Sequence, residues 1–165
     1  MSSAPLYRRQ RGLSLNKLLM VLAIGAGLTA VAVPSYRTYA FSTHRQMVQN
    51  LMNEVTDRQQ TWAQDHHQFT TLINLGYPGS TIYIGTDGIP QTTASSQSIY
   101  AISLATSATN VARCEKLSGP GDGSGYVIVA VPILSQSTDT MCGTLCMDQL
   151  GQRGVSGSKP VAACW

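Results

Sequence analysis

The residues with the clearest chemical capacity are four thiols, Cys114, Cys142, Cys146 and Cys164. Four cysteines can close two disulfides in three ways, hold a zinc ion, or stay free. Zinc suits them poorly. The closest pair is Cys142 and Cys146, spaced as Cys-x-x-x-Cys in a stretch that reads as a strand, and no Cys-x-x-Cys pair is present. Asp65-His66-His67 carries metal-ligand types, but adjacent histidines on a helix point in different directions and do not chelate together. They read as a solvated helix end, and His44 reads as a lone surface histidine. The Gly-rich loop from Ser118 to Gly125 has one acid, Asp122, too few for calcium, and no lysine or following helix for a phosphate loop. No nucleophile motif or paired carboxylates stand out. The reading is therefore non-enzymatic, with no metal and no cofactor.

Composition narrows the class further. The 165 residues allow one domain with a modest core. Eleven Lys and Arg against eight Asp and Glu give a formal charge of +3, and charged residues are 12% of the chain. That share is about half the usual ~25%. So small an excess does not point to a dedicated nucleic-acid binder. In the second half the local basic pairs are Arg113 with Lys116 and Arg153 with Lys159, without interleaved aromatics, so the signal for DNA is weak.

The placement of the charge says more. Arg8, Arg9 and Arg11 precede Gly12, and from Leu18 to Tyr36 no residue is charged. As a helix these 19 residues reach ~28 Å, close to the ~30 Å of a bilayer core. Ala30-Val31-Ala32 imitates a signal-peptidase site, but the helical pattern continues past it, which favours a retained segment. The basic flank predicts a cytoplasmic N-terminus and an exported C-terminal domain. In that compartment the cysteines favour disulfides. Pro34 removes a backbone donor and is expected to kink the helix. Beyond Arg37 the pattern turns amphipathic: Val48, Leu51, Met52, Val55 and Trp62 recur at helical spacing, and Glu54 precedes Arg58 by one turn.

One helix from about Leu13 to Asp65 is expected, then a helix end and turn-rich loop over Leu72–Ser80. Strands follow over Thr81–Ile84, around Tyr100–Leu104, over Tyr126–Leu134 and over Cys142–Met147, with a hairpin turn at Asp87-Gly88. The class is α+β: a long N-terminal helix packed on an antiparallel sheet.

The stretch Arg11-Gly12-Leu13-Ser14-Leu15-Asn16-Lys17-Leu18-Leu19, continued by Ala30-Val31-Ala32-Val33-Pro34-Ser35-Tyr36, resembles the class III leader and helix of type IV pilins. Cys142-Gly143-Thr144-Leu145, Asp148-Gln149-Leu150-Gly151 and Cys164-Trp165, with Leu75-Gly76-Tyr77-Pro78-Gly79, resemble minor pilins of the PilE type. The resemblance implies the pilin fold with three segments: a leader over residues 1–12, a membrane or filament-core helix over 13–40, and a head over 41–165. It implies cleavage by a prepilin peptidase between Gly12 and Leu13, N-methylation of Leu13, and a Cys142–Cys164 disulfide. Cys114–Cys146 would then form the second bridge. Lys17 stands at the fifth mature position, where most pilins carry Glu to pair with a neighbouring subunit's amine. Lys17 can pair with a neighbour's Glu, mark a tip or otherwise unusual position, or snorkel to the membrane interface.

The implied function is a minor pilin that helps assemble, prime or cap a type IV pilus serving motility, adhesion or DNA uptake. Its partners would be other pilins, the prepilin peptidase, the inner-membrane assembly platform and, before assembly, the membrane itself. The alternatives are a pseudopilin of a type II secretion system and a pilus subunit binding DNA or a surface. With the leader removed, the chain from Leu13 balances, and from Phe41 onward six basic residues face eight acidic ones, a charge of −2. The +3 thus reads as a topology signal and not as a sign of an anionic ligand.

Overall fold

The computed structural model describes residues 14–105 and 125–165. The expected long helix is α1, Leu15–His66, running through Gly25, Gly27 and Pro34. It starts as the Ser14 carbonyl accepts the N–H groups of Lys17 and Leu18, and it ends where His67 turns to φ 55°.

The chain divides into two units, Met1–Tyr39 and Ala40–Trp165. In the first, α1 holds an apolar window of mean hydropathy 2.1 with none of it buried, and among the described residues it is the helix long and apolar enough to cross a membrane. Leu15, Leu18, Leu19, Met20, Val21, Leu22, Ile24 and Leu28 all stand exposed, as does Lys17. Exposure of so many large apolar side chains is tolerable only against lipid or other helices. Leu13 and Gly12 lie outside the described residues.

The second unit is built on a six-stranded antiparallel sheet of order β2-β1-β3-β4-β5-β6. The strands are β1 Thr81–Gly85, β2 Pro90–Gln91, β3 Ser98–Ala105, β4 Val127–Pro132, β5 Leu145–Asp148 and β6 Arg153–Val155. Strand alternation places Ile82, Ile84, Tyr100, Ile102, Ile128, Ala130, Leu145 and Met147 in one core with Val48, Leu51, Met52 and Val55 of α1. Val127, Val129 and Cys146 form a separate cluster with Val131 packed against it. The apolar stripe, the hairpin at Asp87-Gly88 and the Glu54–Arg58 pair (2.7 Å) match the sequence expectations.

Three expectations shift. Leu72–Leu75 forms turns, not a helix end. There α1 holds the loop with polar side chains. Buried Gln59 donates to the Thr70 carbonyl (2.5 Å) and accepts the Thr70 N–H (3.0 Å), and Arg58 donates to the Leu75 carbonyl (2.7 Å) while its guanidinium lies 4.7 Å from the Tyr77 ring centre. Burial, with the Glu54 carboxylate nearby, pushes the Tyr77 phenol up to about 12. The strand expected from Cys142 begins instead at Leu145, because Gly143 sits at φ 62°, where an added Cβ would meet the Ser156 hydroxyl at 2.5 Å.

The third shift is His44. It is half-buried, with Nδ1 2.9 Å from the Gln136 Oε1. Gln136 is fully buried at the centre of a network. Its Nε2 donates to the Asp139 Oδ2 and to the Tyr100 hydroxyl, both at 3.2 Å, which leaves Oε1 to accept and assigns the His44 proton to Nδ1. Arg45 closes the network with a 2.5 Å ion pair to Asp139, the two side chains 11% and 3% exposed. Through it α1 grips a short 3-10 helix, Leu134–Thr138, between β4 and β5. Burial raises the Tyr100 phenol to about 12, partly offset by the Gln136 donor.

Candidate functional site

The residues most able to meet a ligand gather at the β6 edge of the sheet. A tight turn leads into β6. Asp148, buried and without an ion pair among the described residues, accepts the N–H groups of Leu150 (2.9 Å) and Gln152 (2.8 Å) through Oδ1, and Gly151 adopts φ 74°. The Asp-Gln-Leu-Gly sequence folds this way because a short carboxylate can substitute for backbone acceptors and glycine tolerates the left-handed turn.

After β6 the chain doubles back beside residues 141–144. The Ser156 N–H donates to the Thr144 carbonyl, Gly157 to Cys142 and Lys159 to Met141, at 2.9 to 3.0 Å. A four-residue helix, α2 Val161–Cys164, follows. The Cys142–Cys164 disulfide implied by the resemblance is present, with Cα atoms 5.7 Å apart. Gln49 of α1 donates to the Cys164 carbonyl at 2.8 Å. Cys146 is fully buried and is not a free thiol, while its expected partner Cys114 lies outside the described residues.

Trp165 is fixed at this corner. Its indole N–H donates to the Gly154 carbonyl (3.2 Å), its ring packs on the core, and the Arg153 guanidinium lies 5.0 Å from the ring centre. The second unit has four described Lys and Arg residues: Arg45, Arg58, Arg153 and Lys159. Arg45 and Arg58 are neutralised by Asp139 and Glu54. Among the described residues, Arg153 and Lys159 are the two head cations outside any ion pair. Arg113 and Lys116 lie outside the described residues. At the far end of α1, the His66 ring stacks on Trp62 at 3.9 Å and its Nδ1 lies 3.1 Å from the Trp62 carbonyl, so its ring is engaged within the helix.

The sequence model of the family described as type IV minor pilin ComP, DNA uptake sequence receptor, matches residues 34–146. The chain belongs to the ComP family. No curated protein gives a significant match. ComP membership carries the minor-pilin assignment and an involvement in DNA uptake, and it takes the place of the pseudopilin alternative. The family is described as a DNA uptake sequence receptor although the charge excess of this chain is weak. Net charge sums paired and unpaired groups alike, whereas DNA meets individual cations. In this ComP-family chain six acids of the head are outside any described ion pair or beyond the described residues, and they cancel the cations in the total while leaving Arg153 and Lys159 locally unpaired. The sequence holds one further clue, Trp165, an aromatic that the fold returns to Arg153 across 12 residues.

Proposed function

We propose that this minor pilin receives DNA at the corner formed by β6, α2 and Trp165, with Arg153 and Lys159 as its positive contacts. The single observation that carries the reading is the coincidence there of the two unpaired described head cations with a fixed aromatic, in a chain of a DNA-receptor family. The low charge has a functional side. Non-specific DNA affinity is almost wholly electrostatic, and it scales with the number of phosphates neutralised. A receptor that must distinguish one sequence from bulk DNA gains discrimination by keeping that number small.

Of the six basic residues in the head, two are paired with carboxylates, which leaves at most four to meet phosphates. The logarithm of affinity should therefore fall against the logarithm of salt with a slope no steeper than about −4. Titration of the detergent-solubilised chain from Leu13, without the leader arginines Arg8, Arg9 and Arg11, with labelled duplex at several salt concentrations measures it. A slope near −8 would mean a contact surface far larger than this corner, and absence of binding at low salt would overturn the reading.

For its life cycle we propose single-pass insertion in the inner membrane, N-terminus cytoplasmic, followed by cleavage between Gly12 and Leu13, N-methylation of Leu13 and entry into the pilus. The exposed apolar helix and the arginines before Gly12 support this path. A Cys114–Cys146 bridge is proposed as the second staple of the head. Lys17 is the single charge between Leu13 and Tyr36. In the filament core a lysine repels a neighbouring amine, so we propose that it directs the subunit to a tip-like or otherwise unusual position. Lys17→Glu is then expected to change the amount of this subunit in sheared, purified fibres. Equal amounts of variant and wild type would remove that role from Lys17.

A further inference from the structure

We propose that Arg153 is the residue that reads sequence, by donating to a guanine edge, and that Trp165 is its positioning residue. The inference rests on the DNA-receptor reading above and goes beyond it by separating the roles of two cations. Arg153 and Lys159 share a corner and a charge but differ in preorganisation. The Arg153 guanidinium lies over the Trp165 ring, and among the described residues it forms no ion pair and no side-chain hydrogen bond. A guanidinium that stacks face-on against a ring keeps its in-plane N–H donors free, and the 5.0 Å distance leaves room for that orientation.

The ring below it does not move easily. It is held by its own N–H to the Gly154 carbonyl and by contact with the core, one residue from the Cys142–Cys164 bridge. Arg153 itself stands on β6, in register with Met147 of β5, so its backbone is set by the sheet. A planar fork held from below is what bidentate contact with the O6 and N7 acceptors of guanine requires. Among the described residues Lys159 has no such support for its ammonium, and a flexible point charge suits a phosphate. The other described arginines of the head are occupied: Arg45 is buried against Asp139, and Arg58 is divided between Glu54 and the Leu75 carbonyl. Arg153, Lys159, Cys164 and Trp165 all lie beyond residues 34–146, the span matched by the family.

The test begins with selection of a random 20-base-pair duplex library, about the length of a short binding site, on the detergent-solubilised full chain. The selected sequence is then the probe. Arg153→Lys keeps the charge and is exposed, so its melting temperature serves as the fold control. The expected result is loss of preference for guanine at one position, with affinity for unrelated duplex unchanged. Replacing that guanine by 7-deazaguanine should weaken the wild type about tenfold and leave Arg153→Lys unaffected. Trp165→Leu should blur the same position while preserving the charge, and Trp165→Phe, which keeps a ring in the core, should restore part of it. Lys159→Gln should weaken selected and unrelated duplexes equally.

Retention of the guanine preference by Arg153→Lys overturns the assignment. So does an equal loss on selected and unrelated DNA, which would make Arg153 a phosphate contact. A wild-type chain that enriches no sequence and retains no duplex overturns the receptor reading, and the assignment with it.

Discussion

Asp139→Ala is expected to destabilise the head by about 3–5 kcal/mol, the loss typical of stripping one partner from a buried ion pair. The reason lies in what remains after the substitution. Arg45 is only 11% exposed, and its Nη1 would lose the carboxylate 2.5 Å away. The Gln136 Nε2 would lose its second acceptor and keep only the Tyr100 hydroxyl. A buried cation without a partner costs far more than the pair itself contributes, because the pair's attraction largely offsets its own desolvation. The sign of a double substitution follows. Arg45→Met with Asp139→Leu removes both charges and should recover most of the loss, leaving Gln136 with Tyr100 and His44. Thermal unfolding of the chain in detergent, followed by near-ultraviolet circular dichroism, checks both; for a unit of this size the single substitution should lower the midpoint by about 10–20 °C. A loss below about 1 kcal/mol would show that water reaches Arg45 and solvates it without Asp139.

That network also marks the limit of what could be read from the residues alone. The helix, the hairpin through Asp87-Gly88 and the strand around Tyr100–Leu104 were legible because their signals are local: period 3.6, an Asp-Gly turn signal, period 2. The Cys142–Cys164 bridge followed from resemblance in the closing motif, not from spacing. Arg45 and Asp139 are 94 residues apart, and His44 and Gln136 are 92 apart. No periodicity connects such pairs; only the packing of α1 across the sheet brings them together. For the same reason His44 read as a surface residue. The candidate site was half visible. Arg153 and Lys159 stand out in the sequence as a basic pair, but their weight depends on which other cations are paired, and the charge of Arg45 is compensated by a partner that sequence does not reveal. In the sequence Trp165 is part of a closing motif, while its contact with Arg153 arises from the return of the chain beside residues 141–144.

Replacing Cys142 and Cys164 together by serine should separate function from fold. The bridge closes a loop of sequence separation 22, which contributes on the order of 3 kcal/mol by loop-closure entropy. The constraint lies where the remaining ties are few. Residues 156–159 keep three backbone hydrogen bonds to residues 141–144, but α2 is one turn long and has no side-chain cap. Beyond Lys159 the described polar ties are the Gln49 bond to the Cys164 carbonyl and the Trp165 bond to Gly154. Short helices of this kind do not persist by themselves. Without the bridge, α2 and Trp165 should open more often than the sheet unfolds, since local opening follows local contacts and not global stability. Far-ultraviolet circular dichroism should stay near the wild-type signal, because α1 and the strands are untouched, while amide exchange at Ala163–Trp165 should rise at least tenfold. DNA should report the same event in a specific way. Arg153 keeps its charge and its place on β6, so unrelated duplex should bind as before, but the ring beneath its guanidinium is no longer held and discrimination between selected and unrelated duplex should fall. If exchange rises while discrimination is unchanged, the disulfide is structural only and Trp165 does not position Arg153. If neither changes, the Gln49 and Gly154 contacts are enough to hold the segment.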